Sequence, residues 1–269
     1  MSCLICNGDL LPFFSKTFNS FFLKRVSYVK CSNCGLVVSE THFQMSKAKW
    51  QELNQQYHKG FFGTNANVDD PKWVQRLENQ KDAIVKLATL KIISKDKPWV
   101  DWGAGDGKLS DLVLKDAGMS LLKYDKYVGK GPLGFLSYKE LKAQKYSFVI
   151  TTSVFEHVRS IEPLEEINDL VAPNGILATH TMVMEQIPSN PKWYYLLPVH
   201  CTFYTNKSMQ ILFDKWGYKA SLYHPLSRLW FFFKITDDKL EEEISILNKQ
   251  ASSAEEMYYY KKGFMDYWK

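Results

Sequence analysis

The stretch VDWGAGDG, from Val100 to Gly107, decides the fold predicted for this chain. It begins in a short apolar run, residues 98–102, which is typical of a buried strand, and apolar positions at helical spacing follow it. A strand, a glycine-rich loop and a helix in this order form the nucleotide-binding unit of doubly wound α/β proteins. Gly103 and Gly105 allow the backbone to turn sharply and to approach a ligand closely. We therefore predict an α/β sheet with a ligand pocket at this loop.

A second signal lies one strand further along the chain. The apolar run 121–124 ends in Asp125, which comes 24 positions after Asp101. In nucleotide-binding βαβ units, a carboxylate about 20 residues beyond the strand end binds a ribose diol. The alternative is a strand-end acid that only caps the next turn. The glycine loop and Asp125 together favour a ligand that contains a nucleoside.

The same segments resemble the class I methyltransferases that use S-adenosylmethionine (SAM). The run from Asp101 to Gly107 reads acid-x-Gly-x-Gly-x-Gly, as in that family, whereas a dinucleotide-binding fingerprint reads G-x-G-x-x-G. YSFVITTSVFEHV (146–158) resembles the family's fourth strand and its following Glu-His, and LVAPNGILATHT (170–181) resembles the fifth strand. PVHCTFYTNKSMQILFDKWGYKA (198–220) resembles the substrate-side segment and its helix. The resemblance covers nearly the whole chain up to Thr236.

This resemblance implies a Rossmann-like sheet with helices on both faces and a C-terminal antiparallel hairpin. It also implies that Asp101 meets the methionine ammonium of SAM and that Asp125 meets the ribose. Tyr57 belongs to an aromatic loop with His58, Phe61 and Phe62, which either closes over SAM or only joins two parts of the fold. The segment 133–138 carries no acid that would mark the adenine end. We predict the following SAM-binding residues: Asp101, Gly103, Ala104, Gly105, Gly107, Asp125, Lys126, Ser153 and Tyr57.

Three residues are candidates for the chemistry of methyl transfer. An acceptor hydroxyl must lose a proton, and a neutral imidazole titrates near the working pH. The resemblance places Glu156 and His157 on the catalytic face and His200 on the substrate side. His180 ends a strand at the same edge of the sheet. The alternative is that any one of these side chains only holds the fold together.

Four of the five cysteines fall in two C-x-x-C pairs near the N-terminus. Twenty-four residues, 7–30, separate the pairs, and this spacing is typical of a zinc ribbon. Zn²⁺ takes four thiolates tetrahedrally at about 2.3 Å, and each short pair presents two sulfurs from one turn. The alternative is a set of free thiols or a redox pair. We predict a structural zinc site formed by Cys3, Cys6, Cys31 and Cys34.

Length and composition place these parts in one compact chain. The 269 residues are 45% hydrophobic and 15% aromatic, with a formal charge of +5 spread along the sequence. We expect a zinc ribbon over 1–45, a helical linker over 46–95, a methyltransferase domain over 96–236 and a helical tail over 237–269. The helix of the linker should begin at Asp69 or Asp70, with Pro71 in its first turn. Without a membrane-length apolar run or a signal core, a cytoplasmic protein is expected.

Three functions remain open from the sequence. The first is O-methylation of a small polar acceptor, such as a sugar, a nucleotide-linked sugar or a polysaccharide precursor, because cysteine-ribbon members of the superfamily resemble this chain. The second is an RNA base methyltransferase that holds RNA with the ribbon. The ribbon has few basic residues for phosphate contacts, which argues against nucleic acid as the partner. The third is a non-catalytic SAM-binding or zinc scaffold protein.

The aromatic C-terminal tail is expected to pack on the core or to form a homodimer surface.

Overall fold

The computed structural model describes residues 2–20, 22–59, 70–127, 134–236 and 238–266. Several residues singled out in the sequence lie outside these ranges, namely Phe61, Phe62, Asp69 and Leu133. Within the described ranges, no helix is both long enough and apolar enough to cross a membrane.

Seven strands form the main sheet of the protein, in the spatial order β12-β10-β11-β7-β6-β4-β5. Their bounds are β4 Trp99–Trp102, β5 Leu121–Tyr124, β6 Tyr146–Thr152, β7 Val171–His180, β10 Ala220–His224, β11 Leu229–Phe233 and β12 Tyr259–Lys262. The four strands β4 to β7 are parallel, whereas β11, β10 and β12 continue the sheet in antiparallel pairs. The predicted hairpin is therefore confirmed as β10 and β11.

Helices cover both faces of this sheet, as predicted. The helices are α1 Glu40–Phe43, α2 Lys47–His58, α3 Trp73–Thr89, α4 Lys108–Ala117, α5 Tyr138–Lys142, α6 Glu162–Leu170, α7 Asn206–Lys215 and α8 Asp238–Asn248. Apolar side chains of α3, α4 and α8 pack in one buried cluster, and those of α5, α6 and α7 pack in another. Because the chain moves from β4 to β5 on one side and then to β6 on the other, the strand order reverses at β4. Ligands of open α/β sheets bind at the carboxyl ends of strands beside such a reversal.

A second sheet contains the N-terminal cysteines and joins them to the rest of the chain. Its strands are β1 Leu10–Thr17, β2 Arg25–Cys31, β3 Val37–Ser39, β8 Val183–Met184 and β9 Thr202–Thr205, in the order β1-β2-β3-β9-β8. The strands β3 and β9 pair in antiparallel fashion through Val37 with Phe203 and Val38 with Thr202. Residues from the first 45 positions therefore share a sheet with residues beyond position 180.

The segment before β4 contains two helices where the sequence predicted one helical run. The structure has α2 and α3, and residues 60–69 lie outside the described ranges. The predicted cap at Asp70 is wrong, because the N-cap of α3 is Lys72. The carboxylate of Asp70 forms an ion pair with Arg76 at 2.7 Å, and only the backbone carbonyl of Asp70 accepts from the Trp73 N–H. The ion pair with Arg76 thus holds the Asp70 carboxylate, which the sequence predicted to cap α3.

The C-terminal tail is helical only in its first part, so the prediction of a wholly helical tail is wrong. After α8, the chain forms β12, which pairs with β10. Without β12, the backbone groups of β10 would form an edge of the sheet. Tyr258 and Phe264 are buried, as expected if the tail packs on the core. Tyr267 and Trp268 lie outside the described residues.

Candidate active site

The glycine loop between β4 and α4 has a backbone conformation that few residues other than glycine adopt. Gly103, Gly105 and Gly107 have φ angles of +81°, +58° and +80°. A Cβ atom at Gly103 would lie 2.5 Å from Cγ2 of Val154, which is closer than van der Waals contact permits. The N–H groups of Gly103 and Ala104 both donate to the Tyr124 carbonyl, at 2.8 and 3.0 Å. The loop is therefore tied to the end of β5.

Asp125, directly after β5, accepts hydrogen bonds on both carboxylate oxygens. Its Oδ2 accepts from the Gly105 N–H at 2.9 Å, and its Oδ1 accepts from the Tyr127 N–H at 2.7 Å. These contacts fix the carboxylate beside the glycine loop at the carboxyl edge of the sheet. A carboxylate has about four acceptor sites, so a side chain of this type can also accept from a ribose diol.

Asp101 in β4 occupies a different environment. The side chain is 1% exposed, and its Oδ1 has no hydrogen-bond partner among the described residues. Burial raises the pKa of Asp101 to about 7, and the negative charge of Asp125 adds to this shift. A buried carboxylate oxygen without a donor is costly, and an ammonium group is the partner that best compensates it. The unpaired oxygen of Asp101 thus fits the ammonium group of SAM. The glycine loop fits its amino-acid backbone, and Asp125 fits its ribose.

A second group of side chains lies where the chain leaves β6. A short 3₁₀ turn, Phe155–His157, carries Glu156 and His157, and the loop before β9 carries His200. Ligand atoms of these three side chains lie within 4.8 Å of one another. The rings of His157 and His200 meet edge to face, with centroids 5.0 Å apart. The fold therefore brings all three predicted catalytic residues together.

The two imidazoles of this group are neutral at pH 7. Burial lowers the pKa of His200 to about 3, and its Nδ1 bonds to the Tyr195 carbonyl at 2.9 Å. Burial also lowers the pKa of His157 well below 6.5; His200 adds to this shift and the charge of Glu156 opposes it. The Nδ1 atom of His157 is buried and has no partner among the residues that the structure describes, whereas the ring bonds to the Val199 carbonyl. Because a neutral imidazole has one donor and one acceptor, Nδ1 is the acceptor.

Glu156 has both carboxylate oxygens engaged. Oε1 accepts from the Tyr195 hydroxyl at 2.8 Å, and Oε2 accepts from the Thr181 hydroxyl at 2.9 Å. The side chain is 1% exposed, so these two donors replace water. The sequence did not single out Tyr195 or Thr181, because a hydroxyl in an aromatic run or after a strand carries no local signal.

Other predicted residues lie at the edge of the site. Ser153 follows β6 with a φ of +55°, and its hydroxyl lies 3.3 Å from Nδ1 of His180. Lys126 is exposed next to Asp125. Tyr57, near the end of α2, packs against the buried cluster of the N-terminal sheet and makes an edge contact with His58. The His58 ring in turn lies 5.7 Å from that of His157, so α2 ends beside the histidine pair.

The four N-terminal cysteines form a separate cluster. Their Sγ atoms all lie within 4.8 Å of one another, with 3.6 Å between Cys3 and Cys34 and 3.4 Å between Cys6 and Cys31. A tetrahedral zinc site with bonds of about 2.3 Å would separate its sulfurs by about 3.8 Å. A hydrogen bond from Cys34 lowers the pKa of Cys3 to about 5. The spacing and burial of these thiols suit a closed four-thiolate metal site.

Comparison with known protein families identifies the family of proteins to which the chain with this glycine-loop pocket belongs. A family model described as a methyltransferase domain matches residues 73–221, which is more than half of the chain. The chain belongs to this methyltransferase family. The match runs from the start of α3 into β10 and contains both Asp101 and Asp125. The protein is a SAM-dependent methyltransferase, and the fold and enzyme class implied by its sequence motifs are confirmed.

Several solved structures are similar to this methyltransferase at low sequence identity. A plantazolicin methyltransferase is 12% identical, with a TM-score of 0.45 over 69% of this chain and 95% of its own. The magnesium protoporphyrin IX methyltransferase of Synechocystis PCC 6803, solved with bound SAH, is 12% identical, with a TM-score of 0.46 over 70% and 99%. An O-methyltransferase family protein of Burkholderia thailandensis is 12% identical, with a TM-score of 0.39 over 71% of each chain. No curated protein sequence matches the methyltransferase.

Proposed function

We propose that this methyltransferase transfers the methyl group to a hydroxyl of a small polar acceptor, with His157 as the general base. The observation that carries the proposal is the Nδ1 atom of His157, which is buried, holds a lone pair and has no partner within the described part of the chain. It lies at the carboxyl edge of the sheet, on the same side as the glycine loop. A base in this position can take a proton from an acceptor that is bound beside the methyl donor.

The residues of the pocket divide the work of the reaction. SAM, when bound, supplies an electrophilic methyl group on a sulfonium. Asp101 and Asp125 orient that molecule through its ammonium and ribose, so that an in-line approach is preorganised. The lowered pKa of His157 keeps its imidazole neutral at pH 7 and able to accept the acceptor's proton. The charge of Glu156 then stabilises the imidazolium that forms, because it favours the protonated ring.

Glu156 acts as a positioning residue in this proposal. Its oxygens already accept from Tyr195 and Thr181, so it holds the wall of the acceptor pocket and does not itself take a proton. Tyr195 also contacts the His200 ring, with centroids 4.5 Å apart. The network therefore links the base, the second histidine and an aromatic side chain.

The finer part of the proposal is that the acceptor is a sugar, a nucleotide-linked sugar or a polysaccharide precursor. Aromatic rings follow one another before His200, namely Trp193, Tyr194 and Tyr195, and Tyr194 is 67% exposed. A site that combines aromatic walls with a few convergent polar groups suits a small ligand with apolar faces and hydroxyl edges. We also propose that Cys3, Cys6, Cys31 and Cys34 hold a structural Zn²⁺.

Transfer of label from SAM tests this proposal. The purified protein is incubated with methyl-labelled SAM and a cell extract, which is then separated into metabolites and macromolecules. We expect label in the metabolite fraction, and about 100-fold less with His157→Asn, the typical contribution of a general base. SAH affinity, measured by calorimetry, should be retained in the variant.

Three results would contradict the proposal. Label in a ribonuclease-sensitive macromolecular fraction would identify RNA as the acceptor. Label transfer that is unchanged in His157→Asn would exclude His157 as the base. An extract that acquires no label in any fraction would count against catalysis of this kind altogether.

A further inference from the structure

A buried arginine lies on the helix that precedes the SAM-binding strand. Arg76 in α3 has a side chain that is only 15% exposed, and its guanidinium forms one ion pair, with Asp70 at 2.7 Å. The Nε of Arg76 is buried and has no hydrogen-bond partner among the described residues. A guanidinium has five N–H donors, and leaving one of them unpaired in the interior destabilises the fold. Arg76 is therefore incompletely satisfied.

The same face of α3 contacts the turn between β10 and β11, and this turn contains a second arginine. Asn79 and Gln80 stand three and four positions after Arg76, and such residues share one helix face. Asn79 donates to the Leu226 carbonyl at 3.2 Å, and Gln80 donates to the Ser227 carbonyl at 3.3 Å. The next residue, Arg228, is thereby held opposite the first turns of α3.

Arg228 has an unusual backbone conformation for its residue type. Its φ is +55°, in the left-handed region that is strained for a residue with a Cβ atom. Its N–H donates to the Pro225 carbonyl at 3.1 Å, which closes the turn between β10 and β11. The side chain is exposed. The turn thus keeps a cationic side chain in one place at the expense of backbone strain.

The charges of the two arginines act on each other and on a common neighbour. Burial lowers the pKa of Arg76; the carboxylate of Asp70 opposes this shift and the charge of Arg228 adds to it. Burial lowers the pKa of His180 well below 6.5, and both arginines lower it further. The two cations thus influence each other and the neutral imidazole, and the carboxylate of Asp70 is ion-paired to Arg76. Like charges held together by a fold create a place where an anion is favoured.

This group of side chains belongs to the rim of the methyl-transfer pocket. His180 ends β7, and its Nδ1 lies 3.3 Å from the hydroxyl of Ser153, the residue after β6. The charges of Glu156 and Tyr195 also reach Arg76. A ligand that lies between the glycine loop and the histidine pair can therefore extend an acidic group toward the two arginines.

We infer that Arg76 and Arg228 form an anion-binding corner that takes a carboxylate or phosphate group of a ligand bound in the methyl-transfer pocket. Arginine binds both kinds of group through paired N–H donors. The group comes either from the amino-acid end of the methyl donor or from an acidic acceptor. The inference concerns the pocket of the proposed function, but it does not require His157 to be the base.

Ligand binding to charge-removal variants tests the corner and separates the two sources. Arg228→Asn is the main variant, because asparagine tolerates the left-handed conformation and the side chain that is lost is exposed. Arg76→Gln is the second variant. Arg25→Gln removes an exposed arginine of β2 whose Nε donates to the Ser15 hydroxyl at 3.1 Å, and this variant serves as the matched control. Calorimetry measures the affinity for SAH and for 5′-methylthioadenosine, which lacks the amino-acid end.

If the corner holds the donor's carboxylate, Arg228→Asn weakens SAH binding about tenfold and leaves 5′-methylthioadenosine binding within about twofold. If it holds an acidic acceptor, SAH affinity is unchanged, and inorganic phosphate raises the melting temperature of the SAH complex in the wild type but not in Arg228→Asn. Arg25→Gln behaves as the wild type in both cases.

Two results overturn the inference. The first is unchanged SAH affinity together with a phosphate effect that is absent or equal in the wild type and both variants. The second is an equal loss of affinity for both nucleosides, which would show a collapsed pocket and no lost anion contact. Neither measurement uses methyl transfer, so the outcome is independent of whether the extract experiment succeeds.

Discussion

Two carboxylates at the glycine loop illustrate how neighbours set the role of a residue. Asp125 is tied to backbone N–H groups on both oxygens, whereas Asp101 is buried with one oxygen unpaired. The sequence predicted both residues, because each ends an apolar strand next to a glycine-rich turn. It did not predict that the pKa of Asp101 would be raised, since that depends on how deeply the fold buries the carboxylate and on which charges lie near it.

For this single residue, we predict that Asp125→Ala weakens SAH binding by about tenfold or more. The variant loses the acceptor for the ribose diol and also leaves the Gly105 N–H without its partner, and hydrogen bonds to a charged group contribute about 1.5–3 kcal/mol. Calorimetric titration with SAH measures the change. Asp214→Ala removes an exposed carboxylate from α7 and should bind as the wild type does. Equal affinities in the two variants would show that Asp125 does not contact the nucleoside.

The segment that carries His200 is held in place by the N-terminal sheet. The Ser39 N–H donates to the Cys201 carbonyl at 2.8 Å, and Thr205 donates its hydroxyl to the Cys34 carbonyl at 2.5 Å. The His42 ring bonds to the Pro198 carbonyl at 2.9 Å. The cysteine cluster is therefore an element that positions the acceptor side of the pocket, while the glycine loop lies on other strands.

From this we predict that Cys31→Ser releases the zinc and loosens the segment 196–205. Three thiolates bind the ion less tightly than four, and metal binding contributes folding energy to a small cysteine module. Metal analysis should show less than one zinc per chain, and amide exchange should accelerate in β3 and β9. SAH affinity should stay within about twofold, since the glycine loop follows β4 of the main sheet, whereas Cys31 ends β2 of the second sheet.

Cys201→Ser is the matched control for this variant, because Cys201 is buried but lies outside the four-cysteine cluster. It should retain its zinc and the exchange pattern of the wild type. A metal-free Cys31→Ser protein with unchanged exchange in the segment 196–205 would show that the cluster does not position it.

Buried neutral histidines are a property of the whole molecule. Burial lowers the pKa of His42 to about 4, of His224 to about 4 and of His200 to about 3, and it lowers those of His157 and His180 as well. In the unfolded chain each would titrate near 6.5. The unfolded state therefore binds more protons than the folded state once the pH falls below that value.

We predict accordingly that the free energy of unfolding falls between pH 7.5 and pH 5.5. A depressed folded pKa gives a contribution that is complete above about 6.5 and is lost on acidification, by about 1.4 kcal/mol per histidine over this range. Asp101, with its pKa raised to about 7, acts in the opposite direction because it destabilises the fold at high pH. Five histidines outweigh one aspartate, so a net loss of several kcal/mol is expected.

Urea denaturation at each pH measures this change. A metal-sensitive dye in parallel samples shows whether zinc has left, so that loss of metal is separated from titration of histidines. Stability that is constant or that rises toward pH 5.5 would show that these histidines are not buried in the neutral form.

The sequence by itself determined the parts of this methyltransferase that depend on neighbouring residues. A strand, a glycine loop and a helix follow one another between residues 98 and 117, and the C-x-x-C pairs each occupy one turn. Such features are local, because backbone sterics and short hydrogen bonds set them. The acids at the strand ends could be predicted for the same reason.

Only the tertiary structure decided which distant side chains meet. Tyr195 reaches Glu156 across 39 positions, and Thr205 reaches Cys34 across 171. The helix α3 meets the turn between β10 and β11 through two hydrogen bonds that each span 147 positions. The strand β12 differs from the expected helical tail for the same cause, because it pairs with β10. Long-range pairing competes with local preference and prevails wherever it satisfies a buried charge or an open sheet edge.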